Sequence, residues 1–168
     1  MTTTTLEPVT AKTLTAFRSL YNLYLHDLAA YLPDLNVDES GSYDAKVVDE
    51  LVDHADRGVN LFLIRCDDRI AGMLVHSGPP LVKDGNDFHL HELFVLNQFK
   101  GSGVAVDAVR ALSAVYPGRY GFSVLASNAR ALAFWDRLLA TIGRDVKCTS
   151  DGSGLVAFSF MVRGADDA

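Results

Sequence analysis

Apolar positions along this chain change their spacing several times, and each change marks an element. Over residues 12–31 the apolar side chains Leu14, Phe17, Leu20, Tyr21, Tyr24, Leu25 and Leu28 recur three and four apart. That spacing predicts an amphipathic helix, closed by Pro33. A short apolar segment at 6–10 precedes it and reads as a first strand. The polar stretch 34–43, with Gly41, reads as a loop. Asp44 is placed to cap a second helix running to Arg57, with Val47, Val48, Leu51 and Val52 as its stripe and Gly58 as its stop.

Beyond Gly58 the helical period is lost. Residues 61–66 and 69–77 read as two strands joined by a tight turn at Asp67-Asp68. Residues 88–96 are the next strand, 104–116 a helix, 120–125 a strand and 128–140 a helix. A weak strand at 145–149 and a clear one at 155–162 follow, and the tail from Gly164 is expected to fray. Strands and helices are mixed throughout, with no repeat and no linker. One domain of mixed α/β (α+β) class, residues 1–168, is therefore expected.

Composition narrows the function classes. The formal charge is -6, from 21 acidic and 15 basic residues, which argues against nucleic acid as a partner. No apolar run approaches the length of a membrane span, and residues 1–5 lack the basic and apolar regions of a signal peptide. A soluble, cytoplasmic protein with no membrane partner is expected. The two cysteines, Cys66 and Cys148, form no CxxC pair and no Cys/His cluster with zinc spacing, so no metal is expected. Cys66 lies in an apolar run and reads as a reduced core thiol.

The chemistry concentrates where the strand 88–96 runs through Asn97, Gln98, Phe99, Lys100, Gly101, Ser102 and Gly103 into a helix. A helix N-terminus offers free N–H groups and partial positive charge, so it binds anions. Glycines at 101 and 103 let the backbone approach a phosphate, and Lys100 adds a charge. The strand 120–125 likewise runs into a helix, beginning Asn128-Ala129-Arg130-Ala131-Leu132-Ala133-Phe134-Trp135. Asn128 there suits a ligand contact or a plain N-cap, and Phe134 and Trp135 suit a site or the core.

With these two stretches the sequence resembles the GNAT superfamily of N-acetyltransferases. The family's strand, then R/Q-x-x-G-x-G/A, then helix appears as Leu93-Phe94-Val95, Gln98, Gly101 and Gly103. Its N-x-x-A-x-x-F-Y stretch appears as Asn128, Ala131, Phe134 and Trp135. Residues 24–27 and 41–43 also look like a subgroup of acetyltransferases. The resemblance implies a central, mostly antiparallel sheet of about seven strands, splayed at its centre and flanked by about four helices. It implies acetyl-CoA as co-substrate, in the cleft between the strands ending near Leu96 and starting at Tyr120. Backbone groups of Phe94 and Val95 would pair with the pantetheine arm. Gln98 opens the signature, and amides from Lys100 through Gly101, Ser102 and Gly103 to Val104 would hold the pyrophosphate. Asn128, with Ala131 on the same helix face, would contact the pantetheine, and Trp135 would line the thioester end.

The chemistry this implies is direct attack of a neutral primary amine on the thioester. His91 and Glu92 are the candidate bases. Simple alternation puts His89 and His91 on one face of the strand and Leu90 and Glu92 on the other, unless a bulge intervenes. Where relatives carry a tyrosine that protonates the departing thiolate, this chain has Trp135, and an indole is no practical acid. Tyr116 and Tyr120 are alternative donors. The acceptor pocket is expected between residues 21 and 43, with Tyr24, Asp27 and Tyr31 as binding residues. A small-molecule amine is the expected partner, with a peptide or protein amine, or a CoA-binding domain without turnover, as alternatives. Such domains often dimerise, so a homodimer is a further expectation.

Overall fold

The computed structural model describes residues 2–43, 46–82 and 84–162. Asp44 and the tail from Gly164 lie outside the described residues. In chain order the elements are β1 (Thr4–Pro8), α1 (Leu14–Ala29), α2 (Lys46–Asp53), β2 (Val59–Cys66), β3 (Arg69–Ser77), β4 (Phe88–Val95), α3 (Val104–Val115), β5 (Arg119–Leu125), α4 (Ala129–Ile142), β6 (Gly143–Ser150) and β7 (Leu155–Val162). Short 3₁₀ turns occupy Ala55–Arg57 and Asn97–Phe99. The second helix is thus shorter than its apolar stripe suggested: it stops at Asp53, and a 3₁₀ turn carries the chain to Gly58. β6 runs straight on from α4 and is longer than expected. Only its first residue is buried, so the strand lacks the alternation that would reveal it.

All seven strands form one sheet, in the order β1-β2-β3-β4-β5-β7-β6. Neighbours are antiparallel except β4 and β5, which are parallel. That parallel pair holds only through Phe88↔Tyr120 and His89↔Gly121. Past these residues the strands part, and a gap opens toward the C-terminal ends of β4 and β5.

Helices cover the two faces unequally. α3 and α4 pack on one face, around Leu74, Leu112, Tyr120, Ile142 and Phe160. Cys66 is buried in this core, as its apolar run predicted, while Cys148 is exposed. On the other face, the core formed by α1 and α2 takes its sheet residues from β2, β3 and β4 only, among them Leu63, Met73, Val75 and Phe94. Among the described residues, no helix of this core covers that face over β5, β7 and β6.

A bulge interrupts β4. Val75 pairs with Glu92, while His76 pairs with Leu90, so His91 is the extra residue. Leu90 and Leu93 both pack into the α3/α4 core. The two residues between them, His91 and Glu92, are therefore both turned to the opposite face, where His89 also points. Simple alternation, which separates His91 from Glu92, does not hold here.

Candidate active site

The turn from Asn97 to Gly103 is a preformed cradle. Gly101 and Gly103 have φ of +81° and +90°, conformations that other L residues rarely adopt. A Cβ on Gly101 would meet nothing within 4 Å, and one on Gly103 only the Asp107 carboxylate at 4.0 Å. The glycines therefore serve the path of the backbone and the clear space above it, not packing. The Lys100 and Ser102 amides are spent within the turn, on the carbonyls of Asn97 (3.2 Å) and Phe99 (3.4 Å). Those of Gly101 and Gly103 have no acceptor among the described residues, and the first-turn amides of α3 have no intrahelical partner. These are groups that suit a diphosphate.

Side chains brace the cradle. The Lys100 ammonium donates to Asn97 Oδ1 at 2.7 Å and pairs with Asp27 at 3.4 Å. Asp27, expected in the acceptor pocket, thus ties the end of α1 to the donor cradle. Arg69, at the start of β3, donates from Nη2 to Gln98 Oε1 at 3.1 Å and lies over the Phe99 ring. A guanidinium can only donate, so this contact fixes the Gln98 amide with its NH₂ turned away from Arg69. Sequence reasoning missed Arg69, because only the fold brings it beside the cradle.

At the wall of the gap, the Leu96 amide bonds to Ala71 O on β3, and the Phe94 carbonyl lies against Gly72 of β3. Alternation along the strand then points the Val95 N–H and C=O into the gap. Of the two backbone positions expected to meet the pantetheine arm, Val95 faces the gap and Phe94 faces β3. On the other wall, Asn128 accepts from the Ala131 amide at 2.9 Å and caps α4. Ala131 is half-buried against the core. Trp135 is buried, its ring 4.0 Å from that of Phe122. Tyr120 is fully buried, and its hydroxyl donates to the Tyr116 carbonyl, so that phenol is committed away from the gap.

The bulge carries the candidate bases. Tyr21 donates to Glu92 at 3.3 Å, and the Tyr24 hydroxyl lies close to the same carboxyl. Burial lifts the Glu92 carboxyl to about 7, against the pull of the Tyr24 and Tyr21 hydroxyls. Burial, and then the Glu92 charge, raise both phenols above their ordinary value. The His91 ring bonds Ser77 Oγ through Nε2 at 2.8 Å. Burial, then the neighbouring His89, hold the His91 imidazole below its usual value, which keeps it neutral at physiological pH.

His89 and His91 also line a cavity of about 470 Å³ on the α1/α2 face of the sheet. Gly121 and Ser123 of β5, Ala157 and Ser159 of β7, and Lys147 and Thr149 of β6 complete most of its lining. Tyr24, Asp27 and Tyr31 do not line it. Tyr24 instead packs on Phe94 and Glu92, while Tyr31 follows the end of α1, its amide bonded to Leu28 O. A second cavity, of about 410 Å³, is lined by Tyr21, Asn22, Leu23, Leu25, Ser42 and Tyr43, in the segment where the acceptor pocket is expected, though not by Tyr24, Asp27 or Tyr31. Among the described residues, no group of three or more His, Cys, Asp or Glu is placed to hold a metal, and no helix is long and apolar enough to cross a membrane.

A glycine cradle, a parted β4/β5 pair and a bulged β4 carrying two candidate bases are features that suit an acetyltransferase. The chain belongs to the acetyltransferase (GNAT) family, whose model matches residues 17–140. Its fold is also that of several solved acetyltransferases. An acetyltransferase from Thermus thermophilus superposes with TM-score 0.68 at 21% identity, covering 94% of this chain and 96% of that one. PaiA N-acetyltransferase from Thermoplasma acidophilum, in complex with coenzyme A, gives 0.64 at 8% identity, over 95% and 99%. RimL, a ribosomal L7/L12 alpha-N-protein acetyltransferase in complex with coenzyme A, gives 0.60 at 16% identity, over 99% and 96%. No curated protein sequence matches this chain.

Proposed function

We propose that the protein moves an acetyl group from acetyl-CoA to the primary amine of a small molecule by direct attack on the thioester. The observation that carries this reading is the bulge at His91. It sets two proton-accepting groups on one face, where the β4/β5 gap meets a cavity of small-molecule size. Acetyl-CoA supplies the activated acetyl group. The Gly101, Gly103 and α3 amides, with Lys100 beside them, suit its diphosphate, and the Val95 N–H faces the gap where the thioester carbonyl would lie.

In this reading Glu92 is the general base, directly or through one water. Its carboxyl, lifted to about 7, is matched to neutral pH, where a base is both free and strong enough to act. His91 lines the groove and, being neutral, can accept a hydrogen bond from the incoming amine. Trp135 packs on Phe122 and has no acidic proton to give, so the thiolate leaves with a proton from solvent.

The pH dependence of kcat/KM tests the assignment, with free thiol as the readout across an amine panel. Activity should rise through an apparent pKa near 7, the ionisation of Glu92. Glu92→Gln should lower kcat by about 10²-fold or more and remove that limb, with acetyl-CoA affinity unchanged. A full-activity variant, or a limb that survives it, would rule Glu92 out.

A further inference from the structure

The groove beside the bulge has its own recognition chemistry. Strand registers lay out its floor: His89 stands opposite Gly121, Gly121 opposite Ser159, and Ser159 opposite Lys147. The next row runs Ser123, Ala157, Thr149. Small residues on β5 and β7 thus form a shallow floor between two walls. One wall is the imidazoles of β4. The other is Lys147 and Thr149 on β6, three strand spacings or roughly 14 Å away along the backbone.

The charges along this groove are unlike those of the acidic chain as a whole. Asp84 is the only carboxylate lining it among the described residues. Both its oxygens are engaged: Oδ2 by His89 Nε2 at 2.8 Å and Asn86 Nδ2 at 3.0 Å, Oδ1 by the Asn86 amide at 3.2 Å. Lys147 faces the same cavity with no carboxylate partner among the described residues. Among the described residues, its neighbours across the floor with uncommitted hydroxyls are Thr149 and Ser123, while the Ser159 hydroxyl donates to Asn86 Oδ1 at 2.7 Å. A cation beside hydroxyl donors is complementary to an oxyanion, while the opposite wall needs a neutral amine next to its bases.

We propose that the acceptor is a small amine that also carries a carboxylate, with its amine at the His91 wall and its carboxylate held by Lys147 and Thr149. This rests on the acetyl-transfer reading above and adds the substrate class. Lys147 then sets specificity without touching the reacting atoms. It explains why the groove of an acidic protein presents a lysine, with the lining carboxylate, Asp84, already bonded to His89 and Asn86.

The test is a matched acceptor panel with the full chain and acetyl-CoA: ω-amino acids of increasing chain length, their carboxamides, their decarboxylated amines and short C-terminally amidated peptides with free N-termini. The free amino acid should exceed its carboxamide and decarboxylated partners in kcat/KM by tenfold or more. Lys147→Ala should erase that ratio by raising the amino-acid KM, leaving the KM for acetyl-CoA unchanged, and Lys147→Arg should restore it. Equal or better turnover of the uncharged partners or the peptides, or a preference that survives Lys147→Ala, would overturn the substrate class while acetyl transfer stands. Coenzyme A binding in calorimetry with no turnover of any amine would instead overturn the acetyl-transfer reading, and this inference with it.

Discussion

Glu92 is a carboxyl that the fold holds at a cost to its own stability. Its value rises from 4.5 unfolded to about 7 folded, so between those values the folded chain binds more protons than the unfolded one. Stability therefore falls as pH rises through that window, by up to roughly 3 kcal/mol above it. Glu92→Gln is expected to raise the melting temperature at pH 8 while it slows catalysis, a result that thermal melts of both proteins at pH 5 and pH 8 would check. His76 has the opposite sign. It is fully buried, stacked on Phe62 and close to Tyr116, and neither ring nitrogen has a hydrogen-bond partner among the described residues. Burial, and then the nearby His91, hold its value near 4 against 6.5 unfolded. The unfolded chain binds the extra proton between those values, so stability is lost as pH falls through them. His76→Phe should flatten that loss, seen in denaturant midpoints at pH 7 and pH 4.5. The sequence singled out His91 and Glu92 as chemical residues, but said nothing of His76. A histidine's burial depends on what packs over it, and that comes from three separate elements.

Among the elements, those whose signal is local were the ones legible beforehand. The bounds of β3 and β7 match the apolar runs at 69–77 and 155–162, and the cradle before α3 follows from its two glycines. Pairing was not legible in the same way. That β7 lies between β5 and β6, and that the β4 bulge falls at His91, depend on partners far away in the chain. The groove across β5, β7 and β6 was not legible for the same reason, since four strands each contribute only a few residues to it. At the cradle, Gly101→Val forces a branched residue to φ +81°, at about 1–2 kcal/mol, into space where nothing stands within 4 Å. The fold should survive, as circular dichroism would show. Coenzyme A affinity should fall by tenfold or more in calorimetric titration, and an unchanged affinity would remove the diphosphate from this turn.

For the whole molecule, the decisive fact is that two half-sheets, β1 to β4 and β5 to β7, meet through two residue pairs. Packing below the sheet holds them: Phe88 touches Tyr120, and Tyr120 touches Phe160. Gly121 sits at the joint, where an added Cβ would come within 2.5 Å of Asn86 and 3.2 Å of His89. Gly121→Val should therefore strain the junction itself and cost about 1–3 kcal/mol, measured as a shift in urea midpoint at constant slope. A neutral result would mean that the halves adjust independently of the joint.

The parted strands also bear on how such a protein can change over time. Much of what faces the gap is main chain, as at Val95 and the cradle glycines, and main chain is common to every sequence that keeps this fold. Side chains around the gap can then drift with little penalty to the donor. The floor across β5, β7 and β6 is lined mostly by side chains, which can change without breaking the strand pairing. A gap lined by main chain beside a floor lined by side chains accords with neighbours that share this architecture at 8% to 21% identity.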